Sequence, residues 1–578
     1  MCGILGYLGL RNGTPLVHEG LKALAYRGYD SWGIAVHSDT HITIQKGIGD
    51  ISKTEPVAMH SNRVIGHTRW ATHGGVTEVN AHPHANMDKT ISVVHNGIIE
   101  NYNELRSELQ KNGFVFASQT DTEVVPHLID FYMRQGKTFE QAFKATLARL
   151  EGSYAILATC ANDSGILFAR NGSPLVLGLG QNEYFVSSDI PSFLPHTKTI
   201  VHLEDGDYGS ITNKVTICNG EKTVDRQPTT AHWDVEVAKK GNYPHFMIKE
   251  INEQPLTIRK ALNQPKELIK QTALLIQNAS TVFLVGCGTS YNVCATATYQ
   301  FSKSGKQTIA VLGSEFSQQI PFIDKKTAVI AVSQSGETAD IIDSVKASKQ
   351  KGAVVIGICN VPSSTLARIA DIVIPMNCGP ELCVLSTKTC TAQLAILFML
   401  AFALRNKDVS VLTEAADAAL HVLKQHQQTM PELAQKIAKT QSMFTIGRGT
   451  MAPIAREAAL KIKEVSYIHA EGMPAGELKH GSIALIEQGM PVIVFADDET
   501  RALTTSNAME VKSRGAFVIG VDSKQSPAYD FHIQIPALDD ATALLALLPI
   551  QLLSYYLALE RECDPDKPRN LAKSVTVR

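Results

Sequence analysis

The chain has 578 residues, of which 44% are hydrophobic and 19% charged, and its formal net charge is −2 at pH 7. At about 150 residues per domain, this length predicts three or four domains. The near-neutral charge, without a long Lys/Arg run, argues against a nucleic-acid-binding protein. None of the ten cysteines forms a Cys-x-x-Cys pair, which disfavours zinc sites and disulfides and favours a reducing cytoplasm.

No membrane segment is expected. The amino-terminal stretch lacks a basic leading region and is interrupted by Arg11, so it is not typical of a secretory signal. The longest apolar run, Leu394 to Leu404, is far shorter than the about 20 residues needed to span a bilayer. This run predicts a buried helix.

Cys2 directly follows the initiating methionine. Once Met1 is removed, Cys2 carries both a thiol and a free α-amino group with a pKa of about 7.7 to 8.0, so that nucleophile and base share one residue. Cysteine is also a common buried residue, and the first two residues alone favour that interpretation.

Residues 1 to about 239 predict a mixed α/β segment of antiparallel character, with short Val/Ile strands and Gly/Asn turns. Strands are expected at 4–8 and 90–94, and helices at 17–25, 103–110 and 121–133. Asn96-Gly97 after an apolar run is typical of a type I′ hairpin turn. Thr120-Asp121-Thr122-Glu123 is typical of a helix N-cap. His82-Pro83-His84 lacks a third ligand at the right spacing, so no metal site is predicted.

Together, the polar strings resemble the glutaminase domain of the glutamine amidotransferases that begin with a catalytic cysteine. The matching strings are Cys2-Gly3-Ile4, YRGYDS at 26–31, GHTRWATHG at 66–74, HNG at 95–97 and TDTE at 120–123. The resemblance implies an N-terminal nucleophile fold with αββα layers. One departure is Trp32, which follows Asp30-Ser31 where a small residue is usual, and it puts the local packing in doubt.

The same resemblance implies a role for each residue of this site. Cys2 would attack the side-chain amide of glutamine, with Asn96 and the backbone N–H of Gly97 as an oxyanion hole worth roughly 3 to 4 kcal/mol per donor. Arg69 would bind the α-carboxylate of glutamine in a bidentate contact, and Asp121 its α-ammonium group. The remaining residues implied are Thr72 and His73, which would line the pocket, and Trp70, which would gate the passage of ammonia.

An internal repeat organises the rest of the chain. The string TVFLVGCGTS at 281–290 parallels SMFTIGRGTMA at 442–452, AVIAVS at 328–333 parallels PVIVFA at 491–496, and VVIGICN at 354–360 parallels FVIGVDS at 517–523. Two related domains are implied. Their continuously apolar strands alternate with helices, which predicts parallel sheets in αβα layers.

The polar residues 218–240 have no clean period and predict a linker. The predicted organisation is therefore residues 1–217, the linker 218–240, two repeated domains at 241–425 and 426–568, and a carboxyl-terminal tail at 569–578.

In parallel sheets, ligands bind beyond the carboxyl ends of the strands. In the first copy these ends carry Thr289, Ser290 and the string Ser333-Gln334-Ser335-Gly336-Glu337-Thr338. Hydroxyls and helix N–H groups there form an anion cradle, although N-capping alone explains the same residues equally well. The second copy has Asp497-Asp498-Glu499 instead, whose carboxylates repel phosphate. One sugar-phosphate site is predicted.

Glu457, Lys461 and Glu464 fall at i, i+4 and i+7 on one helix face. Taken alone, this spacing favours an exposed ladder of salt bridges. Three further strings accompany this helix: AGELKHG at 475–481, RNLAKSVTVR at 569–578 and the junction at 243–255. Together with the helix, they resemble the glucosamine-6-phosphate synthases, whose isomerase half is a tandem pair of sugar isomerase domains. The resemblance covers nearly the whole chain.

This second resemblance implies that the acceptor is fructose 6-phosphate. Lys573 would form an imine with the open-chain ketone, His480 of a neighbouring subunit would open the sugar ring, and Glu464 would move a proton from C1 to C2. The residues implied to hold or support the sugar phosphate are Thr289, Ser290, Ser333, Gln334, Ser335, Thr338, Val384, Ser386, Glu457 and Lys461. A homodimer in the cytoplasm is expected, and the proton transfer needs no metal or redox cofactor.

Other functions remain open at this point. A non-catalytic sugar-phosphate sensor of the same fold would not need Cys2, Arg69 and Asp121. A glutamine amidotransferase could act on a different ketose phosphate, or in purine or asparagine synthesis. The paired repeat and the absence of a Walker-type loop argue against the last two.

Overall fold

The computed structural model describes residues 2–38, 41–56, 58–230 and 240–575. The described chain divides into two compact units. Unit 1 comprises the described residues before Lys240 together with residues 572–575, and unit 2 comprises Lys240–Leu571.

Unit 1 contains fifteen strands and four α-helices among its described residues. The strands are β1 (Gly3–Leu8), β2 (Ser31–His37), β3 (Ile42–Ile48), β4 (Arg63–Arg69), β5 (His84–Ala85), β6 (Ile91–Ile99), β7 (Gly152–Cys160), β8 (Ile166–Asn171), β9 (Val176–Leu179), β10 (Tyr184–Ser187), β11 (Thr199–His202), β12 (Asp207–Ile211), β13 (Val215–Asn219), β14 (Lys222–Thr223) and β15 (Thr229–Thr230). The helices are α1 (Gly13–Ala23), α2 (Tyr102–Lys111), α3 (Val124–Arg134) and α4 (Phe139–Leu147).

These strands form two antiparallel sheets that pack face to face. Their orders are β15-β11-β9-β10-β1-β4-β2-β3 and β14-β13-β12-β8-β7-β6-β5. Ile4 and Ile65 of the first sheet meet Leu157 and Phe168 of the second in one buried cluster. Helix α1 covers the outer face of the first sheet, and α2, α3 and α4 cover that of the second. The predicted αββα layering is confirmed.

The expected hairpin turn at Asn96-Gly97 is wrong, because both residues lie inside β6, opposite Ala155 and Tyr154 of β7. Gly97 has a φ of +127°, and a Cβ there would lie 1.9 Å from the carbonyl oxygen of Ser153. Glycine is therefore required here by the close approach of two strands rather than by a turn.

Three other local predictions change in unit 1. The helix expected from residue 121 begins at Val124. Part of the predicted linker 218–240 belongs to the two sheets instead, since β14 pairs with β13 and β15 with β11; residues 231–239 lie outside the described residues. Trp32 is accommodated by Gly47 opposite it on β3, where a Cβ would lie 2.8 Å from the indole ring.

Unit 2 contains two five-stranded parallel sheets among its described residues, in the orders β17-β16-β18-β19-β20 and β22-β21-β23-β24-β25. The strands are β16 (Thr281–Gly286), β17 (Ile309–Leu312), β18 (Thr327–Ser333), β19 (Val354–Cys359), β20 (Ile372–Pro375), β21 (Ser442–Gly447), β22 (His469–Pro474), β23 (Pro491–Phe495), β24 (Phe517–Asp522) and β25 (Phe531–Gln534). The α-helices are α5 (Phe246–Leu262), α6 (Lys266–Asn278), α7 (Thr289–Lys303), α8 (Ala339–Gln350), α9 (Thr365–Ile369), α10 (Lys388–Leu404), α11 (Ser410–Ile437), α12 (Met451–Ser466), α13 (Arg501–Lys512), α14 (Thr542–Ala546) and α15 (Leu548–Glu560).

Both sheets of unit 2 contribute to one large apolar core, in which helices from both copies meet. The buried helix expected at Leu394–Leu404 is part of α10, whose residues are buried from Lys388 to Phe402. Helix α11 runs across the boundary predicted between residues 425 and 426. Among the described residues, the helical stretch Asp539–Glu560 is long and apolar enough to cross a membrane, but 89% of its apolar window is buried inside the protein, as in a core helix.

Candidate active sites

Cys2 lies immediately before β1, which pairs with β4 so that Gly3 is opposite Thr68. This register brings the thiol next to Trp70. The backbone N–H of Trp70 donates to Sγ at 3.3 Å, and the thiol donates to the carbonyl oxygen of Trp70 at 3.5 Å. Burial raises the pKa of the Cys2 thiol. The thiol therefore needs a base to become a nucleophilic thiolate.

Asn96 reaches Cys2 from β6. Its Nδ2 donates to the backbone carbonyl oxygen of Cys2 at 2.9 Å, and Arg27 Nε donates to the same oxygen at 3.3 Å. The side chain of Asn96 is 4% exposed. Asn96 thus presents an amide donor to the backbone of Cys2, and Gly97 follows it on β6; an amide and a backbone N–H are the kinds of donor that form oxyanion holes.

Arg69 is at the end of β4 and is buried. Its guanidinium donates to the carbonyl oxygens of His73, Gly74 and Gly75 at 2.6, 3.1 and 3.2 Å. Burial lowers the pKa of Arg69, but an arginine stays charged in any case. The loop that contains the exposed Thr72 and the half-buried His73 is therefore wrapped around a fixed positive charge.

Asp121 is buried, and its Oδ2 accepts the backbone N–H of Ile99 at 2.8 Å. The next residue, Thr122, lies 2.8 Å from Nδ1 of His95 through its Oγ1. The second contact joins the HNG and TDTE strings directly, and the first places Asp121 against β6 two residues beyond Gly97.

Glu123 is a residue of this region whose role the sequence did not indicate. Its carboxylate accepts the backbone N–H of Ala117 at 2.8 Å, and both the N–H and the hydroxyl of Ser118 at 2.7 Å. Burial alone would raise the pKa of Glu123, but these donors and His127 outweigh it and lower the pKa to about 2. The sequence feature that could have indicated this role is the position of Glu123 at the end of the TDTE string, since its carboxylate bonds back to the start of the loop that carries Asp121.

Four histidines form a buried cluster in unit 1. The ring of His82 lies 4.1 Å from His67, 4.7 Å from His84 and 6.5 Å from His95, measured between centroids. Burial lowers the pKa of all four, so they are neutral near pH 7. Within the described ranges, no group of three or more His, Cys, Asp or Glu is placed to hold a metal ion.

In unit 2, the first copy forms a hydroxyl-lined turn between β18 and α8. Ser333 Oγ accepts the N–H of Gly336 at 3.1 Å and lies 2.9 Å from Thr338 Oγ1. Ser335 Oγ accepts the N–H of Glu337 at 3.1 Å. Thr338 precedes the first turn of α8 without capping it through its side chain. Three hydroxyls therefore surround a helix N-terminus, which is the composition of a phosphate cradle.

In the second copy, the polar groups of the corresponding turn form hydrogen bonds and ion pairs with nearby side chains. Asp497 accepts the N–H and the hydroxyl of Thr500 at 2.8 and 2.7 Å. Arg501 pairs with Asp522 at 2.8 Å and with Asp498. Asp497, Asp498 and Glu499 stand in this turn where the first copy has Gln334, Ser335 and Gly336.

Glu457, Lys461 and Glu464 lie on α12, and the expectation of an exposed ladder is wrong: Glu457 and Lys461 are each 1% exposed. Lys461 Nζ is 3.4 Å from Glu457 Oε1 and 2.7 Å from Glu464 Oε2. It also donates to Thr289 Oγ1 at 3.0 Å. Packing of α7 against α12 buries this group, a tertiary effect that spacing along one helix does not reveal.

The neighbours of this ion pair set its charge state. Glu457 accepts hydrogen bonds from Thr289 Oγ1 at 2.9 Å and from Asn292 Nδ2 at 2.8 Å. Burial raises the pKa of Glu457. The pKa of Lys461 is raised because the two glutamates outweigh the opposing effect of burial. Lys461 is therefore a permanent cation beside Glu464, the half-buried carboxylate of the group.

The remaining predicted residues are distributed over both units. Ser290 is buried at the start of α7, Gln334 is half-buried, and Val384 and Ser386 are half-buried in the loop before α10. His480 is exposed at the end of the short helix Ala475–His480. Lys573 is 6% exposed and belongs to the tail segment of unit 1.

Comparisons with known proteins agree with this arrangement. The model of the glutamine amidotransferase domain matches residues 67–195, and that of the SIS domain matches residues 275–403 and 436–561. Proteins called glutamine–fructose-6-phosphate aminotransferase (isomerizing) from Thermococcus kodakarensis and Pyrococcus horikoshii are 42% and 43% identical to this chain over the full length of both partners. The chain belongs to this aminotransferase family. The resemblance found in the sequence strings is thus confirmed.

Solved structures similar to this family member match its isomerase region. One is the C-terminal domain of glucosamine-fructose-6-phosphate aminotransferase from Francisella tularensis, 31% identical, with a TM-score of 0.52 and coverage of 57% of this chain and 100% of that one. A second is a phosphosugar isomerase, named as putative, from Silicibacter pomeroyi, 29% identical, with a TM-score of 0.50 and coverage of 56% and 100%. The predicted tandem of sugar isomerase domains is confirmed.

Proposed function

We propose that this enzyme transfers the amide nitrogen of glutamine to fructose 6-phosphate and isomerises the product to glucosamine 6-phosphate, releasing glutamate. The observation that carries the proposal is that one chain combines two sites. Cys2 and Asn96 are in contact in a glutaminase fold. A hydroxyl cradle occurs in the tandem isomerase fold, together with the buried pair Glu457 and Lys461 and the half-buried Glu464. The relatives align with this chain over their full length, and therefore across both sites.

In the glutaminase half, the α-amino group exposed by removal of Met1 takes the proton of the Cys2 thiol. The thiolate attacks the side-chain carbonyl carbon of glutamine, and the developing oxyanion accepts hydrogen bonds from Asn96 Nδ2 and the N–H of Gly97. Collapse of this intermediate releases ammonia and leaves a thioester, which water hydrolyses to glutamate. Arg69 binds the α-carboxylate and Asp121 the α-ammonium group, within a pocket that Thr72 and His73 line.

In the isomerase half, Ser333, Gln334, Ser335 and Thr338 bind the phosphate of the sugar, with Thr289, Ser290 and Val384 nearby. His480 of the partner subunit opens the ring, and Lys573 forms an imine at C2, which ammonia then displaces.

Glu464 next removes a proton from C1 of the amino-sugar imine and returns it at C2. Lys461 Nζ lies 2.7 Å from this carboxylate and 3.4 Å from Glu457, so that one buried cation contacts both glutamates. A carboxylate in this role contributes roughly 10² to 10⁴ in rate.

The test is to supply glutamine labelled with ¹⁵N at the side-chain amide, together with fructose 6-phosphate. We expect ¹⁵N in the amino sugar, and none when Cys2→Ala replaces the nucleophile. Glutamate release without a labelled amino sugar would indicate a different acceptor. Sugar-phosphate binding without any turnover would indicate a sensor. Intact-mass analysis should also show loss of Met1; an active enzyme that retains it would refute the proposed base.

A homodimer in the cytoplasm completes the proposal. His480 is exposed in the single chain, as it should be if it completes the site of a neighbouring subunit. Sedimentation should give twice the mass of one chain. Mixing inactive His480→Ala and Glu464→Gln chains should restore part of the activity, because one of the two sites in a mixed dimer then has both groups.

A further inference from the structure

A chain of hydrogen bonds connects a buried carboxylate to Ser386, one of the residues that the family resemblance implies at the sugar-phosphate site. Glu381 is 4% exposed. Its Oε1 accepts the backbone N–H groups of Thr387 and Thr389 at 3.0 and 3.1 Å, and its Oε2 is 2.7 Å from Thr389 Oγ1. Thr389 Oγ1 is in turn 2.7 Å from Ser386 Oγ. The carboxylate thus lies two hydrogen bonds from the sugar site.

The charge of Glu381 follows from its surroundings. Two backbone N–H groups and a hydroxyl point at its oxygens, and the N–H groups belong to the start of α10, a helix of 17 residues. Hydrogen bonds to the charged form and the positive end of a helix dipole both stabilise a carboxylate. An ionised carboxylate can only accept hydrogen bonds. The hydroxyl of Thr389 must therefore direct its single hydrogen towards Glu381.

This direction decides the next hydrogen bond. Thr389 has no second hydrogen to donate, and two hydroxyl oxygens 2.7 Å apart repel each other unless a hydrogen lies between them. Ser386 must therefore donate to Thr389. A hydroxyl carries one hydrogen and two lone pairs, so the half-buried Ser386 is left with acceptor capacity only.

We propose that Glu381 is a positioning residue which, through Thr389, makes Ser386 a hydrogen-bond acceptor for a hydroxyl group of the sugar chain. This inference rests on the proposed function. A phosphate dianion offers only acceptor oxygens, so Ser386 in this state repels it, whereas a sugar hydroxyl can donate to it. The loop before α10 thus selects the polyol part of the substrate, while the cradle of Ser333, Ser335 and Thr338 selects the phosphate.

The test uses the isosteric variant Glu381→Gln in the full-length enzyme. The glutamine amide keeps one oxygen for the N–H groups of α10, and its Nε2 donates to Thr389. Thr389 must then donate to Ser386, which reverses the chain and turns the Ser386 hydrogen towards the sugar. We expect the KM for fructose 6-phosphate to rise about tenfold, with the KM for glutamine and glutamate release unchanged. The exposed Glu414→Gln on α11 is the matched control and should leave all constants unchanged.

A double-mutant cycle separates this effect from a general disturbance of α10. In a Ser386→Ala background, Glu381→Gln should produce no further change in the KM for fructose 6-phosphate. Thr389→Ser should retain the normal KM, and Thr389→Val should raise it. An equal effect of Glu381→Gln with and without Ser386 would overturn the proposal, as would an unchanged KM in Glu381→Gln. If the unaltered protein does not aminate fructose 6-phosphate, the proposed function fails, and this inference with it.

Discussion

Replacing the buried Lys461 by methionine should destabilise unit 2 strongly. Methionine matches the length of the lysine stem but removes the charge that lies 2.7 Å from Glu464 and 3.4 Å from Glu457. Glu457 is 1% exposed and would retain only the neutral donors Thr289 and Asn292. Removing one partner of a buried ion pair typically costs about 3–5 kcal/mol, because an uncompensated charge remains. We expect a loss of that size in the free energy of unfolding.

The assay is a urea titration of the full chain followed by far-UV circular dichroism, with Lys463→Met as the matched control. Lys463 is an exposed residue on the same helix, so its replacement should change stability by no more than about 0.5 kcal/mol. Burial already raises the pKa of Glu457, and loss of Lys461 raises it further. The destabilisation should therefore shrink as the pH falls and Glu457 becomes protonated.

The double variant Glu457→Gln with Lys461→Met should be more stable than Lys461→Met alone, because it leaves no unpaired charge at Glu457. A loss below about 1 kcal/mol for Lys461→Met, or a loss independent of pH, would refute the reasoning.

Three further predictions concern unit 1. Burial lowers the pKa of His37 and His67 to about 3, whereas an unfolded histidine has a pKa of about 6.5 and therefore binds more protons below that pH. Between pH 7.5 and pH 5, the free energy of unfolding measured by melting should fall by about 2 kcal/mol per histidine. A free energy of unfolding that does not change over this range would contradict the prediction. Gly97→Ala should lower glutamate release at least about 10²-fold, since the new Cβ would meet Ser153; normal turnover would exclude the close approach. Trp70→Ala should leave glutaminase activity measurable while uncoupling it from sugar amination, and equal loss of both products would count against a gate.

The parallel sheets of unit 2 could be predicted because continuously apolar strands that alternate with helices specify them directly. For unit 1 the same kind of pattern gives only a mixed α/β segment of antiparallel character, and its αββα layers could be expected only from the resemblance. The grouping of Cys2, Asn96 and Asp121 could be expected only from the resemblance, since each string alone has an ordinary structural explanation. The hairpin turn predicted at Asn96-Gly97 was wrong because the turn preference of two residues is weak compared with the continuous pairing of nine residues of β6 with β7. Local chemistry at this point favours a turn, and tertiary pairing overrides it.

The burial of Glu457 and Lys461 could not be predicted for a related reason. The i, i+4 spacing of opposite charges is the same on a solvent-facing and on a buried face of a helix. Only the packing of α7 on α12 decides between the two, and Asn292 and Thr289, which complete the group, lie more than 160 positions away in sequence. Glu381 likewise carries no local signal, because two of its three partners are backbone N–H groups, which every residue but proline possesses.

Glu123 in unit 1 and Glu381 in unit 2 both orient the hydrogen-bond donors of a loop that carries a predicted substrate-binding residue. Each is a buried carboxylate that accepts two backbone N–H groups and one hydroxyl. The donors of Glu123 lie in the loop that carries Asp121, and those of Glu381 lie where the loop that carries Ser386 enters α10. Because a carboxylate can only accept, it fixes the direction of every donor around it, whereas an amide or a hydroxyl would leave two directions open. Loops anchored in this way have their polar groups oriented before the substrate arrives, so binding does not have to supply that order.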